Sequence, residues 1–301
     1  MKRILSVRTG IVFWSLAACL PLAAAEARTY AKPEHDPATW TWSVPDPVAG
    51  VTHGELFSEA MQRSVGFNVY LPPDYPADET RRYPVVYFLH GAGGNEKSDS
   101  GFSGIVDADI RAGKLAGVIY VFPNGGRFGS YSDWPDENVK VETFLVRELI
   151  PHIDAAYRTL GTREGRAICG YSMGGDGSVR LAMKHPELFC AAAPMAGAFG
   201  WGHGAQPGDS AFDWARRNAD RIRGRLGLKF VVGGQDRFLN HHHRLLAHLD
   251  ELKIGYDYTV HPEVGHNLGK LTHLSGREII HWLARHYALA RVEDGASPPS
   301  P

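Results

Sequence analysis

The spacing of apolar residues along the chain alternates between the period of a strand and that of a helix. Phe67, Val69 and Leu71 alternate with polar residues, which predicts a half-buried strand over 63–71, paired antiparallel with a strand over 51–58. The run from Pro84 to His90 is continuously apolar, as is typical of a strand buried on both faces of a parallel sheet.

Later segments repeat this alternation. Strands are predicted at 118–122, 167–170, 190–195, 229–232 and 256–260, and helices at 105–112, 139–157, 212–223, 239–252 and 270–289. An antiparallel start followed by alternating strands and helices predicts an α/β fold: a mostly parallel central sheet with helices on both faces. Functional residues are then expected at the carboxyl ends of the strands.

The N-terminus has the pattern of a targeting segment. Lys2, Arg3 and Arg8 precede an apolar run over 11–22, and small residues follow, which predicts a secretory signal peptide over 1–27. The run is short for a membrane span. The tetrapeptide ending at Cys19 resembles a lipobox, but the residues after it are apolar, so secreted or periplasmic export is favoured over a lipid anchor on Cys19.

Three further regions follow the predicted signal peptide. Residues 28–50, rich in Pro and Trp, are predicted to form an extended arm, 51–290 a single catalytic domain, and 291–301 a flexible tail. Trp40 and Trp42 could form a sugar platform, but anchoring of the arm is the more common use of such a pair. Residues 1–27 contain Cys19, and the Cys169 and Cys190 that remain are predicted to be buried thiols, because about three residues of strand offset is too far for a disulfide.

The bulk composition narrows the class of function. The 301 residues are 44% hydrophobic and carry a formal net charge of −1, so no basic field indicates a nucleic-acid partner. After the predicted signal peptide is removed, no stable membrane insertion is expected. A globular enzyme acting on a small molecule or a polymer is compatible with these numbers.

A nucleophile motif lies where one strand meets the next helix. Gly170-Tyr171-Ser172-Met173-Gly174 has the G-x-S-x-G form of a nucleophile elbow, in which small residues allow the sharp turn that exposes the serine. In a chain with 34 glycines the pentapeptide alone is weak evidence. Its position between an apolar strand and a helix indicates that Ser172 is the nucleophile.

A serine nucleophile needs a base and an orienting acid. His266, in a loop before the last helix, is the best candidate for the base, and His261 and His273 are weaker ones because of their places in a strand end and a helix. Asp236, directly after a strand, is the predicted acid, although it also suits a helix N-cap. Asp250, Asp257 and Glu263 compete with it from less suitable positions.

Two other features of the sequence are candidates for binding chemistry. The run from His241 to His243 is interpreted as a solvated helix face rather than a metal site, because consecutive helical side chains diverge. The glycine-rich loop after His90 lacks the Lys-Ser/Thr of a phosphate-binding loop. The backbone amides of Ala92 in this loop and of Met173 are instead the predicted oxyanion donors.

These motifs together resemble one family of α/β-hydrolases. The HGAGG loop at 90–94, the GYSMGG elbow, the Arg147–Asp154 segment and the Lys184–Phe189 segment are similar to those of the Putative esterase family, which includes esterase D, feruloyl and acetylxylan esterases and antigen 85 mycolyltransferases. The resemblance spans 51–289 and implies the α/β-hydrolase fold and a Ser-Asp-His mechanism without metal or organic cofactor. Where this family usually has an aromatic residue shortly after the histidine, Asn267 follows here.

The expected function is an exported serine carboxylesterase. Export favours acetyl or feruloyl esters of polysaccharides, or small short-chain esters, as substrates. Tyr131, Trp134 and Trp201, in loops after strand ends, are predicted to line the substrate groove, with ordinary loop packing as the alternative. Two rival functions stay open: an acyltransferase of the antigen 85 type that uses the same three residues, and a non-catalytic carbohydrate-binding protein.

Overall fold

The central element is one mixed β-sheet. The computed structural model describes residues 35–135, 138–200 and 207–293, with side chains as far as Tyr287. Within these residues the strands are β1 Thr52–Ser58, β2 Arg63–Tyr70, β3 Val85–Leu89, β4 Ile119–Pro123, β5 Arg166–Tyr171, β6 Ala191–Met195, β7 Gly227–Gly233 and β8 Asp257–His261. Their order is β1-β2-β4-β3-β5-β6-β7-β8, antiparallel from β1 through β4 and parallel beyond. The predicted sheet is confirmed.

Helices connect the strands. They are α1 Ser103–Arg111, α2 Val141–Thr143, α3 Ile150–Ala156, α4 Met173–Lys184, α5 Ala211–Arg217, α6 Ala219–Ile222, α7 Leu239–Glu251 and α8 Leu268–Glu293. A π-helical segment, Phe144–Leu149, joins α2 to α3, so the helix predicted over 139–157 is present as one continuous rod. The segment predicted to be helical over 212–223 is helical, but it is interrupted between α5 and α6 at Asn218, whose side chain donates to the Met183 carbonyl at 2.7 Å.

The sheet is covered on both faces, as alternation along β3 shows. Val85, Tyr87 and Leu89 belong to a core shared with α3, α4, α5 and α7. Val86 and Phe88 belong to a second core shared with α1 and α8. Helices on both faces are therefore confirmed, and a strand inside this sheet must be apolar at every position.

The described part of the arm, residues 35–50, packs on the sheet. Trp40 and Trp42 are only 6% and 7% exposed, and the Gly66 amide of β2 donates to the Trp42 carbonyl at 2.7 Å. This burial favours anchoring of the arm over a sugar platform. The arm lies at the carboxyl end of β4, because Gly66 also accepts a hydrogen bond from the Asn124 amide at 2.9 Å.

The two cysteines of the described chain are free and buried. Cys169 is in register with Ala193, three residues beyond Cys190, so the predicted strand offset is confirmed. Residues 1–34 lie outside the described part, as do the predicted signal peptide, Cys19 and most of the predicted tail. Among described residues, no helix combines the length and the apolarity needed to cross a membrane.

Candidate active site

Ser172 lies at the turn between β5 and α4 in a backbone conformation that few residues adopt. Its φ is 55° and its ψ is −113°, a region that costs a non-glycine residue on the order of 1–3 kcal/mol. The turn is held on both sides, because the Ser172 amide donates to the Met195 carbonyl and the Ser172 carbonyl accepts from the Ala198 amide, both at 3.0 Å. The strain and these bonds together hold the hydroxyl at the carboxyl edge of the sheet.

The glycines of the elbow are required by close packing. A Cβ on Gly174 would lie 2.0 Å from the Leu89 carbonyl oxygen, and one on Gly170 would lie 2.5 Å from the Gly174 carbonyl oxygen. Strand β5, helix α4 and strand β3 approach too closely at this point for any side chain. The G-x-S-x-G spacing thus has a direct steric cause.

Three side chains from three different loops are joined by hydrogen bonds at this edge. The distance from Ser172 Oγ to His266 Nε2 is 2.9 Å, and that from His266 Nδ1 to Asp236 Oδ2 is also 2.9 Å. The other carboxylate oxygen, Asp236 Oδ1, accepts from the Phe238 amide at 2.8 Å. Asp236 therefore stabilises the turn before α7 and orients His266 at the same time.

Burial and hydrogen bonding oppose each other at Asp236. Its side chain is fully buried, which alone would raise the pKa, but the hydrogen bonds from His266 and from the Phe238 amide outweigh this and lower the pKa below its ordinary value. The carboxylate is therefore ionised at neutral pH. A charged acceptor at Nδ1 keeps the proton of a neutral His266 on that nitrogen, and leaves Nε2 free to accept from the serine.

The competing candidates have other partners. His261 Nε2 lies 2.7 Å from Ser275 Oγ, Asp250 accepts from Tyr256, and Asp257 accepts from Trp282. Glu263 accepts from the Gln235 side chain at 3.1 Å. Of the titratable residues considered from the sequence, the structure brings only Asp236 and His266 to Ser172.

The loop of residues 90–94, called here the His90 loop, lies against the serine. A Cβ on Gly91 would lie 3.5 Å from Ser172 Cβ, which places the loop backbone beside the nucleophile. Within the described chain, the amides of Ala92 and Met173 have no hydrogen-bond partner, whereas the Gly93 amide donates to the Arg127 carbonyl at 2.7 Å. The two predicted oxyanion donors are thus available to a ligand.

The aromatic residues predicted to line the groove are placed differently. Tyr131 is 1% exposed, and its hydroxyl donates to the His90 carbonyl at 3.2 Å. Trp134 is 8% exposed and packs edge-on against Trp40, with ring centroids 5.5 Å apart. Both placements favour the loop-packing alternative. Trp201 lies outside the described residues.

Sequence reasoning missed the two aromatic residues that hold the imidazole of His266. Tyr171 stacks on it with centroids 4.8 Å apart, and Phe238 meets it edge-on at 5.1 Å. Their adjacency to Ser172 and Asp236 in the sequence was the available signal. Asn267, which directly follows the histidine, accepts from the Lys270 amide at the start of α8.

The interpretation of His241–His243 as a solvated helix face is wrong for His242. This side chain is fully buried against Phe199, with centroids 4.7 Å apart, and shares the inner face of α7 with Leu245, Leu246 and Leu249. The i, i+3, i+4, i+7 spacing of these four residues was the missed signal. Among the described residues, no group of three or more His, Cys, Asp or Glu side chains is arranged to hold a metal ion.

Comparison with known proteins identifies the family. The family model described as "Putative esterase" matches residues 58–253, well over half of the chain. The chain belongs to the Putative esterase family. The matched segment contains β2 to β7, Ser172 and Asp236, and ends before His266.

Curated relatives of this esterase-family chain are larger proteins. Esterase Rv1288 of Mycobacterium tuberculosis is 35% identical over 167 residues, which cover 54% of this chain and 33% of the relative. An endo-1,4-beta-xylanase/feruloyl esterase of Xylanibacter ruminicola is 34% identical, covering 46% and 21%. The M. tuberculosis diacylglycerol acyltransferase/mycolyltransferase Ag85A is 32% identical, covering 38% and 35%. The matches thus span about a fifth to a third of each relative's length.

Solved structures agree on the fold. A ferulic acid esterase superposes with a TM-score of 0.70 at 23% identity, covering 78% of this chain and 97% of that one. An S-formylglutathione hydrolase from Agrobacterium tumefaciens gives a TM-score of 0.67 at 19% identity, covering 80% and 98%. These similarities establish the α/β-hydrolase fold predicted from the sequence.

Proposed function

We propose that this protein is a serine carboxylesterase that hydrolyses acyl esters through Ser172, His266 and Asp236. The observation that carries the proposal is the unbroken set of hydrogen bonds from Ser172 Oγ to His266 and from His266 to the buried Asp236. A serine, a histidine and a carboxylate in this arrangement activate the hydroxyl for attack on a carbonyl.

The proposed reaction has two halves. Ser172 Oγ attacks the acyl carbon while its proton passes to His266 Nε2, and the Asp236 carboxylate stabilises the imidazolium. The tetrahedral intermediate collapses, the alcohol leaves with the proton from His266, and an acyl-enzyme remains. Water, deprotonated by His266, then attacks the acyl-enzyme and releases the acid and free Ser172.

The negative charge on the carbonyl oxygen needs donors in both halves. The amides of Ala92 and Met173, which are unpartnered in the described chain, serve this purpose. Such preoriented donors are worth about 10²–10³-fold each in rate. No metal or organic cofactor takes part in this scheme.

Acetyl or feruloyl esters of polysaccharides, or small short-chain esters, are the proposed substrates, and no nucleic acid is involved. Support comes from the feruloyl-esterase name of one relative and from the predicted signal peptide over 1–27. Export to the periplasm or medium is proposed, in preference to a lipid anchor on Cys19. Residues 28–50 then form the arm, 51–290 the catalytic domain and 291–301 the tail, and Trp201 remains a proposed substrate contact.

A substrate panel tests the proposal directly. We expect turnover of nitrophenyl acetate by the wild-type protein, loss of at least 10³-fold with Ser172→Ala, and covalent labelling of Ser172 by a fluorophosphonate. Comparing nitrophenyl acetate, butyrate and octanoate with methyl ferulate ranks the acyl groups. Absence of turnover together with absence of labelling would refute an esterase and favour the non-catalytic carbohydrate-binding alternative.

An acyltransferase is the second candidate, favoured by the match to Ag85A. It shares the acyl-enzyme, and a sugar hydroxyl replaces water in the second half. Product analysis with an ester donor and trehalose or another sugar separates the two functions. Transfer product in excess of free acid would assign the acyltransferase.

A further inference from the structure

A second set of hydrogen bonds begins at the arm and ends beside Ser172. The Val44 amide donates to Glu96 Oε1 at 2.5 Å, and Asn124 Nδ2 donates to Glu96 Oε2 at 2.7 Å and to the Thr41 carbonyl at 3.2 Å. Glu96 and Asn124 are 1% and 0% exposed. A buried carboxylate with donors on both oxygens therefore joins the arm to the residues that follow β4.

The residues after β4, 124–127, in turn hold the His90 loop at two points. The Gly125 amide donates to His90 Nε2 at 2.9 Å, and the Gly93 amide donates to the Arg127 carbonyl at 2.7 Å. Asn124 Oδ1 accepts from the Gly126 amide at 2.9 Å, which fixes this turn to the same side chain that contacts the arm. The arm, the turn and the His90 loop thus form one connected unit.

His90, which is held by the turn after β4, in turn fixes the orientation of the peptide group between Gly91 and Ala92. Burial lowers its pKa to about 4, so it is neutral at pH 7, and because Nε2 accepts from Gly125, the proton lies on Nδ1. Nδ1 therefore donates to the Gly91 carbonyl, at 2.8 Å, and the Gly94 amide also donates to that oxygen at 3.1 Å.

The Gly91 carbonyl and the Ala92 amide belong to the same peptide plane. In a trans peptide the C=O and the N–H point in opposite directions, and the described chain contains no cis bond. Fixing the Gly91 oxygen on the His90 side directs the Ala92 N–H to the other side of the loop. This is the amide that the esterase mechanism uses as an oxyanion donor.

We propose that the arm is a working part of the catalytic machinery: through Glu96 and Asn124 it positions the turn after β4, His90 and, finally, the Ala92 amide. Glu96, Asn124 and His90 act as positioning residues, since none of them reaches the reacting atoms in this scheme. The inference rests on the proposed esterase function.

The buried carboxylate gives a sharp test, because both of its partners are donors. Glu96→Gln preserves size but supplies one oxygen and one amide nitrogen, so either Val44 or Asn124 must face a donor. The matched control is Lys97→Ala. Lys97 binds Asp46 of the arm at 2.6 Å, but this pair is exposed and is not connected to Asn124 or His90.

The assay compares nitrophenyl acetate hydrolysis with inhibition by a trifluoromethyl ketone in the full-length protein. Ser172 adds to the ketone and creates an oxyanion, so the inhibition constant reports on the donors, as it does for other transition-state analogues. For Glu96→Gln we expect kcat to fall about tenfold, KM to stay within twofold, and the inhibition constant to rise about tenfold. For Lys97→Ala we expect all three to stay within twofold.

A purely structural role of Glu96 would lower the thermal midpoint or the titrated fraction of active sites and leave the inhibition constant unchanged. The inference would be overturned by that result. It would also be overturned by wild-type kinetics in Glu96→Gln, or by equal losses of activity in Glu96→Gln and Lys97→Ala. Should Glu96→Gln not fold, Asn124→Ser, which keeps the Glu96–Val44 contact, decides by the same criteria. An inactive wild type that fluorophosphonate does not label would refute the esterase function itself, a different outcome.

Discussion

Two histidines near Asp236, the partly buried His266 and the fully buried His242, show how differently the same residue type is used in this fold. His266 has a partner for each ring nitrogen, Ser172 on one side and Asp236 on the other. His242 also faces the Asp236 charge, but neither of its ring nitrogens has a hydrogen-bond partner among the described residues. Burial therefore lowers its pKa to about 3, against the opposing effect of the Asp236 charge.

The comparison shows that position relative to an acceptor and a donor, rather than proximity to a carboxylate, makes a histidine suited to catalysis. His266 extends from a loop at the carboxyl edge of the sheet, while His242 faces the core from the middle of α7. We expect His266 to govern the rate of ester hydrolysis, and His242 to govern how the stability of the fold changes in acid. Four substitutions test this division, in order of decreasing expected effect.

Asp236→Asn is expected to have the largest effect, because it replaces the carboxylate oxygen that accepts from His266 Nδ1 with an amide group. Asn Oδ1 keeps the Phe238 amide, so its NH₂ group faces His266 Nδ1 and forces the proton onto Nε2, which can no longer accept from Ser172. We expect kcat for nitrophenyl acetate to fall about 10⁴-fold, while the fold is retained. Asp257→Asn, whose oxygen still accepts from Trp282, is the control, and a loss below tenfold in Asp236→Asn would contradict the proposed base.

His242→Phe removes a buried imidazole that stays neutral in the folded state at pH 4.5 and above. The folded pKa, about 3, lies below the ordinary value of 6.5, so the unfolded chain binds more protons and the stability of the wild type falls as pH decreases from 6.5 toward 3. The variant lacks this loss and should gain about 3 kcal/mol over the wild type between pH 7.5 and pH 4.5. Urea unfolding at both pH values measures it, and a pH-independent difference would refute the assignment.

Phe238→Ala removes one of the two rings that hold the His266 imidazole. Because an aromatic pair of this kind is worth about 0.5–1.5 kcal/mol, we expect kcat/KM to fall about threefold to tenfold through loss of imidazole orientation. Phe212→Ala serves as the matched control, since the Phe212 ring packs against His248, with centroids 5.6 Å apart, and against Arg244. Equal losses in the two variants would indicate general destabilisation.

His243→Ala should have the smallest effect. His243 follows His242 on α7 but is exposed to solvent, so we expect the free energy of unfolding to change by less than about 0.5 kcal/mol at pH 7.5 and at pH 4.5. The same urea experiments provide the measurement. A pH-dependent change as large as that of His242→Phe would show that the two side chains are not distinguished by burial.

Local patterns were sufficient for most of the fold. Continuous apolar runs correctly predicted the parallel strands, and the spacing of 139–157 predicted a helix although its middle is π-helical. The break at Asn218 could not be predicted, because it depends on a hydrogen bond to Met183 in another helix. The inward face of α7 was within reach of the sequence, since His242 has the same period as three buried leucines.

In the candidate site, too, some residues could be predicted from the sequence and others could not. Ser172, Asp236 and His266 could be proposed because each follows a strand, and parallel strands bring such positions to one edge. The aromatic residues predicted to contact substrate illustrate the limit: their places in loops after strand ends predicted a substrate groove, but Tyr131 and Trp134 are buried.

The sequence by itself determined the alternation of strands and helices, the esterase-family motifs and the three residues proposed for the reaction, because periodicity and local turn chemistry are properties of neighbouring residues. The tertiary structure alone decided that Asp236 contacts His266 while Asp257 does not, that Tyr171 and Phe238 enclose the imidazole, and that a buried Glu96 joins the arm to the His90 loop. These contacts form between residues distant in the chain, where hydrogen-bond distance and burial depend on how the layers pack.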